Sequence, residues 1–308
     1  MGPTTGTVVV IGGANMDITG IPSAGFVPRD SNPGRVLLSP GGVGRNVCEN
    51  LARMGVKVRL LTAVGDDLYG SALLESCAAL QVDVSCSLVA KERTSSVYLS
   101  VNDGDGDMYC AVADMDIVEQ LTPEYLRRYD RELEQCTAIF LDTNLTQESI
   151  QYLTETYAHK PIFCDPVSTA KAVKLRGSLD KLHTLKPNGK EAALLSGIPV
   201  NSNEDARKAA EALQVMGVRN VAISLGEEGL CLCTQGGAGH YKPRPVKIGS
   251  ANGAGDALMS GLIYSHLRGL SLEETMKTAC AAAAITLADH RTVSHHLSAQ
   301  TLHEEVSK

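Results

Sequence analysis

The chain has 308 residues, 44% apolar and 20% charged, with 28 Lys and Arg against 35 Asp and Glu and a net charge of −7. That is ordinary globular composition with enough chain to bury a real core, which argues against a disordered protein. The acid excess disfavours nonspecific nucleic-acid binding, and three Phe with no Trp leave few platforms for stacking bases.

The residues Met1 to Thr7 carry no basic leader, and the apolar run Val8–Ile11 is too short for a signal or a membrane span. That run, closed by Gly12-Gly13, reads as a buried strand and a tight turn. Asn32-Pro33-Gly34 marks an irregular loop before a short strand over Arg35–Ser39. Gly41-Gly42-Val43-Gly44 opens a helix, with Val47, Leu51 and Met54 on its apolar face. A strand over Val58–Val64 and a helix over Leu68–Leu80 follow.

The pattern then changes. Val97, Leu99 and Val101 alternate with polar residues, Asp103-Gly104 follows, and Met108, Cys110 and Val112 alternate again. This is a hairpin belonging to a second sheet with one wet face. Beyond it, Thr122-Pro123 caps a helix, and Ala138–Leu141 and Pro161–Cys164 are short strands flanking another. Ala206, Ala209, Ala210 and Leu213 share a helical face; Asn220–Leu225 and Leu230–Cys233 pair as strands. Ser271-x-x-Glu274 is a capping box before a very apolar helix, Met276–Leu287.

Strand and helix thus alternate, which predicts an α/β fold with a mainly parallel sheet covered on both faces. Ligands of such sheets bind beyond the carboxyl ends of the strands. The nine cysteines are an odd number in a chain of this size and read as reduced, mostly buried thiols of a cytosolic protein. Cys231 and Cys233 have strand spacing rather than metal-ligand spacing, and His290, His295 and His296 read as surface residues.

Four stretches carry candidate chemistry. In Ser250-Ala251-Asn252-Gly253-Ala254-Gly255-Asp256, small residues permit close backbone approach at a helix start, and Asp256 stands where it can take a proton from a hydroxyl. A plain dipole-favoured carboxylate is the alternative. Gly41-Gly42-Val43-Gly44-Arg45-Asn46 offers glycines and an amide suited to a sugar hydroxyl, or merely a helix-opening turn. Asn15-x-Asp17 can grip vicinal hydroxyls, or cap its own turn. Lys186-Pro187-Asn188-Gly189-Lys190-Glu191 can hold phosphate and water-bound Mg²⁺, or form an N-cap with an acidic first turn. There is no Walker A loop and no G-x-G-x-x-G after the first strand.

Taken in order, the glycine pair near residue 41, Asn188-x-x-Glu191, Leu225-Gly226-x-x-Gly229 and Gly253-Ala254-Gly255-Asp256 resemble the ribokinase-like, or PfkB-type, carbohydrate kinases over nearly the whole chain. The resemblance implies a single kinase domain over 1–308 with a small β-sheet lid from about 15–40 and 93–114. Asp30-Ser31-Asn32-Pro33-Gly34, the Pro40–Asn46 stretch, Asp165-Pro166-Val167-Ser168 and the His183–Asn188 stretch are most similar to members that phosphorylate pseudouridine. Val43 stands where sugar-kinase members usually have Lys, which favours a nucleoside. Another nucleoside or sugar as acceptor, and a noncatalytic nucleoside sensor, are the alternatives.

The resemblance also implies roles. Asp256 would be the base, and the amides of Gly253, Ala254 and Gly255 an anion hole for the γ-phosphate of ATP. Asn15, Asp17, Gly41, Gly42, Asn46 and Asn144 would hold the ribose. Lys186, Asn188, Ser224, Gly226 and Gly229 would lie along ATP, with Glu191 and Asp165 organising Mg²⁺ through water. Ser250 and Asn252 replace the Asp and Thr usual in the loop that holds a monovalent cation in some relatives, so such a cation stays open. No nucleic-acid or membrane partner is implied; a homodimer through the lid is.

Overall fold

The computed structural model describes residues 6–103 and 108–308. Residues 1–5 and 104–107 lie outside them, and with them the start of the expected N-terminal segment and Gly104 of the expected hairpin turn.

In chain order the strands are β1 (Thr7–Ile11), β2 (Asn15–Pro22), β3 (Gly34–Gly41), β4 (Lys57–Leu61), β5 (Ala63–Gly65), β6 (Leu88–Ala90) and β7 (Val97–Asn102). They continue as β8 (Met108–Asp114), β9 (Ala138–Asp142), β10 (Ile162–Asp165), β11 (Thr184–Leu185), β12 (Asn220–Ser224), β13 (Leu230–Thr234) and β14 (Gly237–Tyr241). Eight of them form one sheet in the order β14-β13-β12-β11-β10-β9-β1-β4. From β4 to β12 every pairing is parallel, and β13 and β14 add an antiparallel edge.

The two faces of this sheet are covered by different helices, which is why its strands are continuous apolar runs. Val9, Ile11, Ile139 and Leu141 pack with the helices Gln147–Thr156 and Asn203–Val215. Val8, Val10, Phe140 and Phe163 face the helices Val43–Arg53 and Ala254–Arg268.

The strand expected over Val58–Val64 is two strands. Thr62 breaks the run: β4 is the edge of the large sheet, whereas β5 turns away to pair with β6. The Thr62 carbonyl accepts the Leu88 N–H at that corner. A second sheet of order β3-β2-β7-β8 stands at the carboxyl end of β1. Asn15 and Asp17 are therefore not in a turn; they begin β2, in register with Gly41 and Ser39 of β3. The expected single wet face is also too simple, since every residue of β8 is exposed along that edge.

Candidate active site

The carboxyl ends of β1, β9, β10, β11 and β12 meet at one rim of the large sheet. They deliver, in turn, Gly12-Gly13, Asp142, Asp165, Lys186 and Ser224. The helix Ala254–Arg268 points its amino end at the same rim. Gly253 is its N-cap at φ 79°, and a side chain there would overlap the Thr292 carbonyl oxygen. The first-turn amides of a helix have no partner inside it, and its dipole adds positive potential there.

Asp256 lies in that first turn and is 9% exposed. Its Oδ2 accepts a 2.8 Å hydrogen bond from the Asn46 Nδ2. Burial pushes its pKa up to about 7, with the Asp165 charge adding to the rise; the Asn46 bond and the Lys186 charge oppose it. Two of the sequence candidates, 210 residues apart, thus share one hydrogen bond.

Lys186 sits beside them. Its ammonium pairs with Asp165 Oδ2 at 2.9 Å, both side chains almost wholly buried. Burial alone lowers the lysine pKa, but Asp165, Asp256 and Glu191 outweigh it and hold the ammonium above its ordinary value. The same ammonium lies 3.3 Å from where a Cβ on Gly255 would stand, so it faces the helix start. Asp165 Oδ1 accepts the Val167 N–H, and Val167 takes a left-handed φ of 61°.

The Gly42 end is built for contact between backbones. At φ 98° Gly42 caps the helix Val43–Arg53, and a Cβ there would stand 2.5 Å from the Gly13 carbonyl oxygen. Gly44 stacks on Gly12 in the same way. Asn15 Nδ2 donates to Asp17 Oδ1 at 2.6 Å, and burial raises the Asp17 pKa against that bond. Gly41 leaves room for the Asp17 carboxylate. Asn144 follows β9, its amide N–H bonded to Asp142 and its Oδ1 accepting from Lys171.

Asn188 and Glu191 form a reciprocal capping box: each side chain accepts the other's backbone N–H, at 3.0 and 2.8 Å. The N-cap alternative is thus realised. Glu191 is also buried next to Asp165 and Lys186, and burial raises its pKa. Ser224, Gly226 and Gly229 line a cavity of about 570 Å³ that runs to Gly255, with Leu258 and Ala283 in its apolar wall.

Three groups at the rim escaped sequence reasoning. Asp142 is wholly buried and accepts the N–H groups of Gly13 and Asn144. Its carboxylate occupies the space a side chain at Gly12 would need. Lys171 reaches Asn144 from the start of the following helix. Arg45, buried, pairs with Glu49 at 2.6 Å and donates at 3.4 Å to Asn46 Oδ1. That contact turns the Asn46 amide so that its nitrogen faces Asp256. The spacing Arg45-x-x-x-Glu49 was the available signal. Elsewhere His290, His295 and His296 are exposed, and all nine cysteines are free, with only Cys110 exposed.

Comparison with known proteins bears on the whole chain. The profile of the pfkB family carbohydrate kinases matches residues 5–298. A pseudouridine kinase of Escherichia coli K12 is 38% identical over 293 residues, covering 94% of this chain and 93% of that protein. An uncharacterized sugar kinase of the same strain, YeiI, is 35% identical, over 91% of this chain and 78% of its own length. A carbohydrate kinase from Agrobacterium tumefaciens superposes with a TM-score of 0.84 at 26% identity, over 98% of this chain and 97% of that one.

Proposed function

The chain belongs to the pfkB family of carbohydrate kinases, and we propose that within it the acceptor is the 5′-hydroxyl of pseudouridine. As a member it is an ATP-dependent phosphotransferase with an alcohol acceptor, on a ribokinase-like α/β fold. The observation that carries the catalytic reading is the seat of Asp256. A carboxylate with a raised pKa stands at a helix amino end, bonded to Asn46, directly after Ala254 and Gly255, which line the Ser224–Gly229 cavity. A noncatalytic sensor has no need of that arrangement.

In this reading the nucleoside lies between Asn15, Asp17, Asn46 and Asn144, and ATP between Lys186 and the cavity. Asp256 takes the hydroxyl proton as the new O–P bond forms at the γ-phosphorus. The bond from that phosphorus to the β-phosphate oxygen breaks, and ADP leaves. The amides of Gly253, Ala254 and Gly255 meet the developing charge, so the work is positioning plus electrostatics. The polar face of the small sheet, with Asp17, Thr19 and Ser100 in register, acts as a lid that excludes water.

Among the described residues no three His, Cys, Asp or Glu side chains converge on one metal-sized point. Mg²⁺ needs no such cage, since it keeps most of its waters and takes only one or two carboxylates plus phosphate oxygens. Glu191 and Asp165 would hold it through water. When bound, the ion supplies charge neutralisation at the phosphates. The free thiols suit a cytosolic location.

Pseudouridine as acceptor rests on the similarity to the bacterial pseudouridine kinase across nearly the whole chain. The similarity to a sugar kinase keeps another nucleoside or a sugar as the second reading. A coupled ADP-release assay over pseudouridine, uridine, cytidine, inosine and ribose separates them. Pseudouridine should give the highest kcat/KM; no signal with it and strong turnover of another acceptor would overturn the assignment.

A further inference from the structure

We infer that a second cavity, at the amino ends of β10, β11 and β12 and lined by His183, His266 and Arg219, binds a small oxyanion of the phosphate or sulfate type. Its volume is about 480 Å³. It lies at the far end of the sheet from the proposed reaction site. His183 immediately precedes β11, whereas Lys186 immediately follows it. Asp256 and His266 sit in the first and last turns of one helix, ten residues and roughly 15 Å apart.

The lining is chemically one-sided. In a chain whose acids outnumber its bases 35 to 28, no Asp or Glu lines this cavity. Arg219 stands at its edge beside the two imidazoles, with Asn220, Gln235 and Thr275 as neutral hydrogen-bonding groups. The rings are held rather than loose: His183 and His266 stack edge to face with centroids 4.5 Å apart, and Phe163 touches both at 5.2 and 5.4 Å. His183 Nδ1 lies 2.8 Å from Thr184 Oγ1. The helix carboxyl end would repel an anion, but the N–H groups of Gly269 and Leu270 already take the last carbonyls, of His266 and Ser265.

The electrostatics agree with the geometry. Burial, His266 and Arg219 together hold His183 down to about 4, and burial with Arg219 lowers His266. The guanidinium charge therefore reaches both rings with no carboxylate in the lining to balance it. The hairpin of β13 and β14 contributes Thr234 and Gln235, and the helix Leu272–Leu287 contributes Thr275; none of these titrates. An anion supplies the missing charge and raises both histidine pKa values, so its binding takes up protons.

Histidine ring signals of the intact protein, followed by NMR during a sulfate titration, test this independently of the kinase assignment. Sulfate stays a dianion across the range used, and chloride at equal ionic strength is the control. The rings of His183 and His266 should shift saturably with sulfate and not with chloride. Restoring His183 towards its ordinary pKa predicts about fourfold tighter binding at pH 6 than at pH 7.5. Arg219→Gln should abolish the shifts while leaving kcat unchanged, since Arg219 is exposed and remote from Asp256. Phosphate in place of sulfate should move the same two rings. Rings that stay put, or that respond equally to chloride or in Arg219→Gln, would overturn the inference.

Discussion

At Asp256 burial and two neighbouring acids raise the pKa, while Asn46 and Lys186 lower it, and burial wins. A base near pH 7 is half ionised where the enzyme works, which is the compromise between availability and strength that proton transfer favours. The kcat/KM profile should therefore climb through about pH 7 and level off above it. Asn46→Ala removes a lowering contact, so it should move that limb to higher pH as well as weaken nucleoside binding. Asp256→Asn should cut kcat by about 10²–10⁴-fold with little change in KM; near-normal turnover would remove Asp256 as the base. Stability runs the other way. A carboxyl raised in the folded chain favours folding below its unfolded value, near 4, and loses that contribution as pH rises through 7. Asp256→Asn should consequently be more stable than the parent at pH 8, on the order of 2–4 kcal/mol by urea denaturation. The gap should close towards pH 4.

The helix starts and strand ends decide which residues reach the rim, and two glycines there have different jobs. Gly253 needs its positive φ and its missing Cβ, because the Thr292 carbonyl fills that space. Gly253→Ala should cost on the order of 2–3 kcal/mol, seen in denaturant unfolding. Gly255 has no positive φ and would meet only the Lys186 ammonium. Gly255→Ala should keep its stability while turnover falls. Equal loss of stability in both would contradict this division. Helix-opening glycines, the capping boxes at Asn188 and Ser271 and the fully apolar parallel strands were all legible in the sequence, because each is a local pattern. Non-local features were not. The break at Thr62 depends on β6, 26 residues on in sequence, and an unbroken apolar run gives no sign of it. β14 begins Gly-Ala-Gly and has no alternation to read; it exists because β13 offers an edge. Asp142 is a lone acid ending an apolar strand, and only the fold shows Gly12 making room for it.

On the scale of the whole molecule, the small sheet has two unlike faces. One carries Asp17, Thr19 and Ser100 towards the rim. The other carries a row in strict register, Leu38–Ile18–Leu99–Val112, across β3, β2, β7 and β8. Leu38 is 54% and Val112 65% exposed. Along the same face Met16 and Ile18 reach Leu73 of the helix Leu68–Ala78, so the sheet is rooted at one end and bare at the other. A contiguous apolar face of this kind is normally covered. A second copy presenting the same row about a twofold axis would bury both at once, as an isologous contact requires. We propose that this pairing forms the dimer and braces the lid. Val112→Asp sets a charge on the contact face without touching the core, since β8 is an exposed edge strand. Light scattering should show a dimer for the parent and a monomer for Val112→Asp, with unchanged unfolding of the large sheet. The monomer should also show a raised KM for nucleoside, because an unbraced lid closes less often. A monomeric parent, or a variant that stays dimeric at micromolar concentration, would rule this face out as the interface.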